Sequence, residues 1–509
     1  MLISVSEALH LAGIILLILV LLLILLPSGR PRNFPPGLPI LPIVGSLLTM
    51  RGGPTRQILM DLKKTYGNMA SFGIFGTRLV LVSGLPMLKE VFSQKVSAGR
   101  PEMLFSTTRN VLLSEGRDVT NIGVVGSWGR AWQDQRRFVL HHLRNLGFGK
   151  STYEPIMMQE IMELLEYFAK EEGRPIAMKN TFNRTVVNVL WWMVMGKRYP
   201  YHHVKLHKLL QTFQSRADLN LLNPLYFIPG FLKALPNLPV LGRTTDTTRS
   251  VLAFVKTELR ELSESEDLCN NASLAAMYLR EIHNSKDESS VVHMDNLVAV
   301  LTEMFVAGME TTSSTLTMAI YLLAKHPKIQ QRLQQELDQV VGRDKLPSLF
   351  DMDDEALPYT MATIHEVQRK LNLVLFALPH ATIQDCIMAG YYIPKGTVLL
   401  PNLSDAMRDP ELWRNPQEFD PENFLNEDGS YRKNEAFLPY GAGKRRCAGE
   451  SLARQELFLI LTCILHRFFF TLVEEEELPV TSPIFNQTPV YIAKAIPRGS
   501  PLSPSCHCS

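Results

Sequence analysis

Phe437-Leu438-Pro439-Tyr440-Gly441-Ala442-Gly443-Lys444-Arg445-Arg446-Cys447-Ala448-Gly449 is the stretch on which the reading of this chain turns. Glycines at 441, 443 and 449 permit a tight backbone path around one cysteine. Cys447 follows three cationic residues and directly precedes an amphipathic helical pattern over 448–467. Positive side chains and a helix N-terminus both favour the thiolate. A thiolate beside backbone amides is a good ligand for a soft or redox metal. No second Cys or His stands at zinc-like spacing from it. A single thiolate in a glycine loop therefore suggests an axial haem ligand, and a buried cysteine at a helix start is the plainer alternative.

Two further groups lie upstream. Glu366-Val367-Gln368-Arg369 sets an acid and an arginine at i and i+3 on one helix face. If buried, such a pair needs further hydrogen bonds to offset its desolvation. Ala307-Gly308-Met309-Glu310-Thr311-Thr312 interrupts an otherwise apolar helical pattern over 294–325. A threonine there can simply bond back to the carbonyl one turn earlier. Gly308 weakens the helix by up to about 1 kcal/mol, which usually has a packing or functional reason.

The rest of the chain sets the frame. Its 509 residues are 46% hydrophobic and 20% charged, which excludes a disordered or fibrous chain. The length allows about three domains or one large fold. Lys+Arg total 52 against Asp+Glu 50, so no global charge calls for nucleic acid. Six scattered cysteines do not make a disulfide framework and fit a reducing compartment. Residues 69–82 read as a hairpin. Helical patterns then dominate, at 156–170, 182–195, 249–264, 294–325, 328–341, 357–371 and 448–467. Strand-like runs return at 386–392, 396–400 and near the C-terminus. That order predicts a mainly α fold with a small β region. The Leu/Phe/Pro-rich stretch 203–240 reads either as core or as a loop that meets the membrane or roofs a lipophilic pocket.

Leu11 to Pro27 carries no charged or polar side chain and, with Leu9 and His10, approaches the ~20 residues of a membrane-spanning helix. Arg30 and Arg32 follow it and no Lys or Arg precedes it, which keeps residues 28 onward in the cytosol. The expected organisation is a lumenal N-terminus (1–8), a transmembrane anchor (9–27) and a basic, proline-rich hinge (28–48). A cytosolic catalytic domain (49–500) and a flexible tail (501–509) complete it. With a cytosolic body, the sequons at Asn183, Asn271, Asn402 and Asn486 are expected to carry no glycan. Cys506-His507-Cys508 on a free tail makes a poor metal site.

Taken together, the motifs resemble those of the cytochrome P450 family. The cysteine loop is similar to its haem signature, Phe-x-x-Gly-x-Arg-x-Cys-x-Gly, at Tyr440, Gly443, Arg445, Cys447 and Gly449. Tyr440 departs from the usual Phe and adds a hydroxyl beside the sulfur. Glu366 and Arg369 resemble the family's structural pair, and Asn423 stands where an arginine often completes it. Residues 307–312 resemble the oxygen-activation motif. Ala307 and Gly308 would leave room for dioxygen, Thr311 would hydrogen-bond the activated dioxygen, and Glu310 would relay protons. Trp132, Arg136, Arg100, His380 and Arg445 match the positions that hold the two haem carboxylates.

The resemblance covers essentially the whole chain and is closest to the microsomal, animal, family-two-like type. It implies a single large haem domain behind the anchor, on the endoplasmic reticulum membrane facing the cytosol. Cys447 would ligate the iron of haem b. The reaction would insert one atom of O2 into a lipophilic substrate, by hydroxylation or epoxidation of a steroid, fatty acid, sesquiterpenoid or xenobiotic. NADPH–cytochrome P450 reductase would supply the electrons, and a cytochrome b-type haemoprotein could share its docking face. Arg137, Arg144, Lys444 and Arg446 are the candidate docking cations. Pocket positions would be the segment 103–125, Phe305, Val374 to Leu378, Ile484 and Phe485. Glu303 would anchor a neighbouring loop through its backbone amides. A reductase-independent isomerase or dehydratase, and a haem sensor or lipophile carrier, are the alternatives. The intact Glu310-Thr311 pair argues against the first.

Overall fold

The computed structural model describes residues 10, 13–15, 17–18, 29–51, 53–114, 119–200, 209–210, 227–228, 230, 242–284, 291–476, 486 and 488–499. Most of the expected anchor over 9–27 lies outside them, as do most of 203–240, Ile484, Phe485 and the tail 501–509. Residues 10, 13–15, 17 and 18 are helical and exposed. No helix among the described residues is long and apolar enough to cross a membrane.

The helices are α1 (Arg56–Tyr66), α2 (Leu85–Ser93), α3 (Leu104–Ser114), α4 (Gly129–Asn145), α5 (Glu154–Lys170), α6 (Asn183–Met195) and α7 (Gly242–Ser263). They continue as α8 (Leu274–Asn284), α9 (Met294–Lys325), α10 (Pro327–Val340), α11 (Pro358–Leu371), α12 (Leu403–Met407) and α13 (Glu450–Arg467). The strands are β1 (Met69–Ile74), β2 (Thr77–Val82), β3 (Pro175–Ala177), β4 (His380–Ala381), β5 (Cys386–Met388), β6 (Tyr391–Ile393), β7 (Val398–Pro401), β8 (Phe468–Glu476) and β9 (Val490–Pro497). The mainly helical reading, with strands at both ends of the chain, matches this order.

One sheet runs β1-β2-β7-β4, with β2 and β7 parallel. A second runs β3-β9-β8, and β5-β6 is a separate hairpin. The sequence suggested a continuous strand over 386–392. Instead the chain reverses at Ala389 (φ 49°) and Gly390 (φ 81°). Two consecutive positive φ angles make the tight turn whose twist suits a two-residue hairpin.

Helix α9 is the axis of the helical body. Its 32 residues are apolar around most of their circumference and buried against α6, α7, α11 and α13. His293 caps its N-terminus by accepting from the Asn296 amide, and Pro327 begins the next helix directly after it. A helix apolar all round has to sit inside the protein. Everything that reaches the site is therefore measured against α9.

Candidate functional site

The cysteine loop lies between α2 and α13. At Gly443 (φ 72°) a Cβ would stand 1.9 Å from the Phe92 carbonyl oxygen, so only glycine lets the loop pass α2. The Cys447 amide donates to the Tyr440 carbonyl at 3.0 Å, which closes the loop. Gly449 is the N-cap of α13 and offers no side-chain cap. The free first-turn amides of Gly449 and Glu450 are directed at the Cys447 sulfur. Burial pushes the thiol up, while those amides and Arg136 pull it down. The cations expected to favour the thiolate divide here. Lys444 and Arg446 are exposed, and Arg136, a turn beyond Trp132 on α4, is the one that bears on the sulfur.

Cys447 opens into a cavity of about 380 Å³. Its lining is mainly apolar, from Phe92, Val139, Leu143, Leu190, Val300, Met304, Leu373, Val374, Leu378, Leu452 and Leu457. At one end it gathers cations. Arg100 donates to the carbonyls of Val125, Leu378 and Pro379, and Arg445 to those of Ala98, Val124 and Ser127. Arg136 donates to the Arg446 carbonyl at 2.8 Å. Among the described residues none of the three has a salt-bridge partner. Burial, then mutual repulsion, pushes Arg100 down to about 10 and Arg445 down to about 8. The Arg445 guanidinium lies 3.9 Å from the Trp132 ring centroid, and the Trp132 indole N–H is buried without a partner.

Three confined cations and an orphaned donor need a multiply charged anion. The two carboxylates of a haem meet that demand, with Cys447 on the same cavity. His380 fits less simply. Its Nδ1 is 2.8 Å from the Ser97 carbonyl, and burial with Arg100 holds it well below the usual imidazole range. The proton is thus fixed on Nδ1, and donation to a carboxylate through Nε2 requires a second one.

Helix α9 forms another wall. Ala307, Gly308, Thr311, Thr312 and Thr315 line the cavity. The Thr311 hydroxyl donates to the Ala307 carbonyl at 2.8 Å. Glu310 lies beside this lining on an exposed position, where its carboxylate accepts from Ser314 at 3.4 Å. The acid thus faces solvent while the hydroxyl faces the cavity. A Cβ on Gly308 would stand 2.5 Å from Leu190 Cδ2, so the smallness of that residue serves the α9–α6 contact.

Glu303 does tie down the neighbouring loop. It accepts from the amides of Val124 at 2.6 Å, Val125 at 2.9 Å and Gly126 at 3.4 Å, and pairs with Arg109 at 2.5 Å. Val124 and Val125 thereby line the cavity. Phe305, expected in the pocket, is a correction. It packs at 5.2 Å from the Trp191 ring and 5.6 Å from Phe254, and Met304 lines the cavity instead. The helical turn directs 305 into the core between α6 and α7.

Glu366 and Arg369 form a fully buried bidentate pair, both contacts 2.7 Å. Arg369 also donates to the carbonyls of Met407, Pro416 and Glu418. Glu366 accepts from the Asp420 amide at 3.0 Å and, weakly, from Asn423 at 3.4 Å. A neutral amide therefore fills the place of a third charge.

Sequence reasoning missed three site residues. Arg109 is a lone cation within the helix α3. Gln368, read only as a spacer, lines the cavity and donates to the Tyr440 hydroxyl at 2.9 Å. Glu456 on α13 lines the cavity with one carboxyl oxygen unpartnered. Burial pushes it up to about 8, and Thr312 is its hydrogen-bond partner. A lone acid within an apolar helical run was the available signal.

The family model for cytochrome P450 matches residues 35–493, which contain this whole arrangement. The chain is a cytochrome P450. It is 34% identical to cytochrome P450 2J3 of Rattus norvegicus over 457 residues, 89% of each chain. It is also 34% identical to cytochrome P450 2D15 of Canis lupus familiaris, covering 91% of this chain and 93% of the relative. With cytochrome P450 2D14 of Bos taurus the identity is again 34%, over 95% and 97% of the two chains. As a member of this family the P450 binds haem b through a cysteine thiolate. It is a haem-thiolate monooxygenase of lipophilic substrates and takes its electrons from a redox partner.

Proposed function

We propose that Cys447 is the axial ligand and that the apolar cavity beside α9 receives the substrate. The observation that carries this is the convergence on one cavity of Cys447 and three arginines that have no salt bridge among the described residues, with the orphaned Trp132 donor packed against one of them, Arg445. Arg100, Arg136, Arg445 and Trp132 would hold the haem carboxylates. When bound, the haem supplies the activation of dioxygen and transfer of one oxygen atom to the substrate.

The chain's own residues do the rest. Met304, Val374 and Leu378 exclude water and present an apolar surface to the substrate. Glu303 is not free to select a basic substrate, because Arg109 neutralises it. Thr311 holds a hydroxyl on the cavity side, and exposed Glu310 one residue before it can take protons from solvent. Hydroxylation or epoxidation of a steroid, fatty acid, sesquiterpenoid or xenobiotic fits this apolar lining. We assign NADPH–cytochrome P450 reductase as the electron donor. The exposed cations Arg137, Arg144, Lys444 and Arg446 on the cysteine side form its docking face, open also to a cytochrome b-type protein. The apolar run over 9–27 supports a single-pass anchor in the endoplasmic reticulum membrane with a cytosolic body.

The test is the carbon-monoxide difference spectrum of reduced protein, wild type beside Cys447→Ala. A strongly red-shifted Soret band that the variant lacks supports the assignment; a band that survives in the variant overturns it. Thr311→Ala is expected to keep that band. Its substrate oxidation per NADPH consumed should fall, by about tenfold or more, with peroxide released instead.

A further inference from the structure

The Tyr440 hydroxyl, the chain's departure from the usual signature, has a dedicated partner. Gln368 donates its side-chain N–H to the Tyr440 oxygen at 2.9 Å, and both residues line the cavity. Gln368 sits between Glu366 and Arg369 on α11, so the contact starts from a backbone that the buried ion pair and its carbonyl bonds already immobilise. On the ring, the Arg454 guanidinium lies 5.3 Å from the centroid, and Glu450 holds Arg454 at 3.1 Å. At the other end of the same residue, the Tyr440 carbonyl accepts the amide of Cys447 at 3.0 Å. The path from α11 to the sulfur-bearing residue therefore has two hydrogen bonds and one aromatic ring.

We propose that the Gln368–Tyr440 hydrogen bond is a strut that fixes the cysteine loop and keeps water away from the Cys447 sulfur, with Gln368 as a positioning residue. Two physical points support it. First, a glycine-rich loop has little rigidity of its own, and here the strut ties one of its ends to the helix turn that carries the buried Glu366–Arg369 pair. Second, solvent access and hydrogen bonds to a ligating sulfur withdraw its electron density and raise the potential of the bound iron. A loosened loop would therefore shift the potential upward and ease loss of thiolate ligation. The inference rests on the assignment of Cys447 as ligand.

The experiment compares the full-length holoenzyme with Tyr440→Phe, Gln368→Leu and the double variant. Tyr440→Phe removes one oxygen atom and keeps the ring, so folding is preserved. Two readouts apart from activity are taken: the midpoint potential, and the rate at which the red-shifted carbon-monoxide band is lost on mild heating. Each single variant is expected to raise the potential and to lose the band several-fold faster. The double variant should be no worse than either single, since one hydrogen bond is removed in all three. Single variants that match wild type, or effects that add in the double, overturn the strut. Failure of the underlying assignment looks different: wild type itself would show no red-shifted band.

Discussion

Arg369 and Arg445 are both buried arginines with three carbonyl acceptors each, yet they are opposites. Arg369 also meets a carboxylate in a bidentate pair inside the protein. Arg445 has no salt bridge among the described residues; Arg100 and Arg136 repel it, and Glu303, already paired with Arg109, offsets them only in part. A buried charge without a partner is costly, and folding alone gives no reason to collect three of them. The difference separates scaffold from site. Where the charge is balanced internally, the pair stiffens the fold; where it is not, the proposed function has a ligand supply the balance.

The comparison breaks most easily at Arg369. Arg369→Leu leaves Glu366 buried without its cation, at a cost of about 3–5 kcal/mol. Denaturant unfolding should show that loss, or folded protein should not be recovered. Arg445→Leu should act in the reverse sense. Unfolding of haem-free protein should change far less than for Arg369→Leu. Haem transfer to an acceptor protein should speed up by about tenfold or more, as expected for a lost charge-assisted hydrogen bond of ~1.5–3 kcal/mol. Equal damage to haem-free stability by both variants would remove the distinction.

Arg109→Leu tests an intermediate case. Glu303 would keep its three amide donors, so a smaller loss of about 1–3 kcal/mol is expected. Ligand-induced Soret titrations should then show weaker lipophile binding as the loop at 124–126 loosens.

Glu456 is the acidic counterpart of Arg445, a buried carboxyl with one oxygen unpartnered and no salt bridge among the described residues. Burial raises it from the ordinary carboxylate range to about 8. Between those values the unfolded chain ionises while the folded chain holds its proton. Stability from this group is therefore full at low pH and falls as pH rises towards 8. Glu456→Gln cannot titrate and keeps an amide for Thr312. Its thermal midpoint relative to wild type should be higher at pH 8 than at pH 5. A pH-independent difference would show that Glu456 titrates normally.

Much of the site was readable in order along the chain. The cysteine loop, the Glu366–Arg369 pair and the 307–312 segment were legible as a set in a familiar order, since each taken alone also has an ordinary packing explanation. The long helices were readable because their apolar periodicity extends over many turns, as in α9 and α13. Arg109, Gln368 and Glu456 were not, since each takes its meaning from a partner far away in sequence. Phe305 was misplaced for a related reason. Residues 304 and 305 are equally apolar, and only the rotation of α9 against α6 and α7 decides which one meets the cavity.

Local chemistry and periodicity, which depend on neighbours in the chain, thus determined the helical fold class and singled out the cysteine loop, and the resemblance of the motifs pointed to the family. The tertiary structure decided which charges are compensated. It turned Lys444 and Arg446 outward, brought Arg136 from α4 onto the cysteine, and spent Glu303 on Arg109. It also showed that the added hydroxyl of Tyr440 has Gln368 waiting for it. Electrostatic balance depends on distance and burial across the fold, and no spacing within the sequence encodes either.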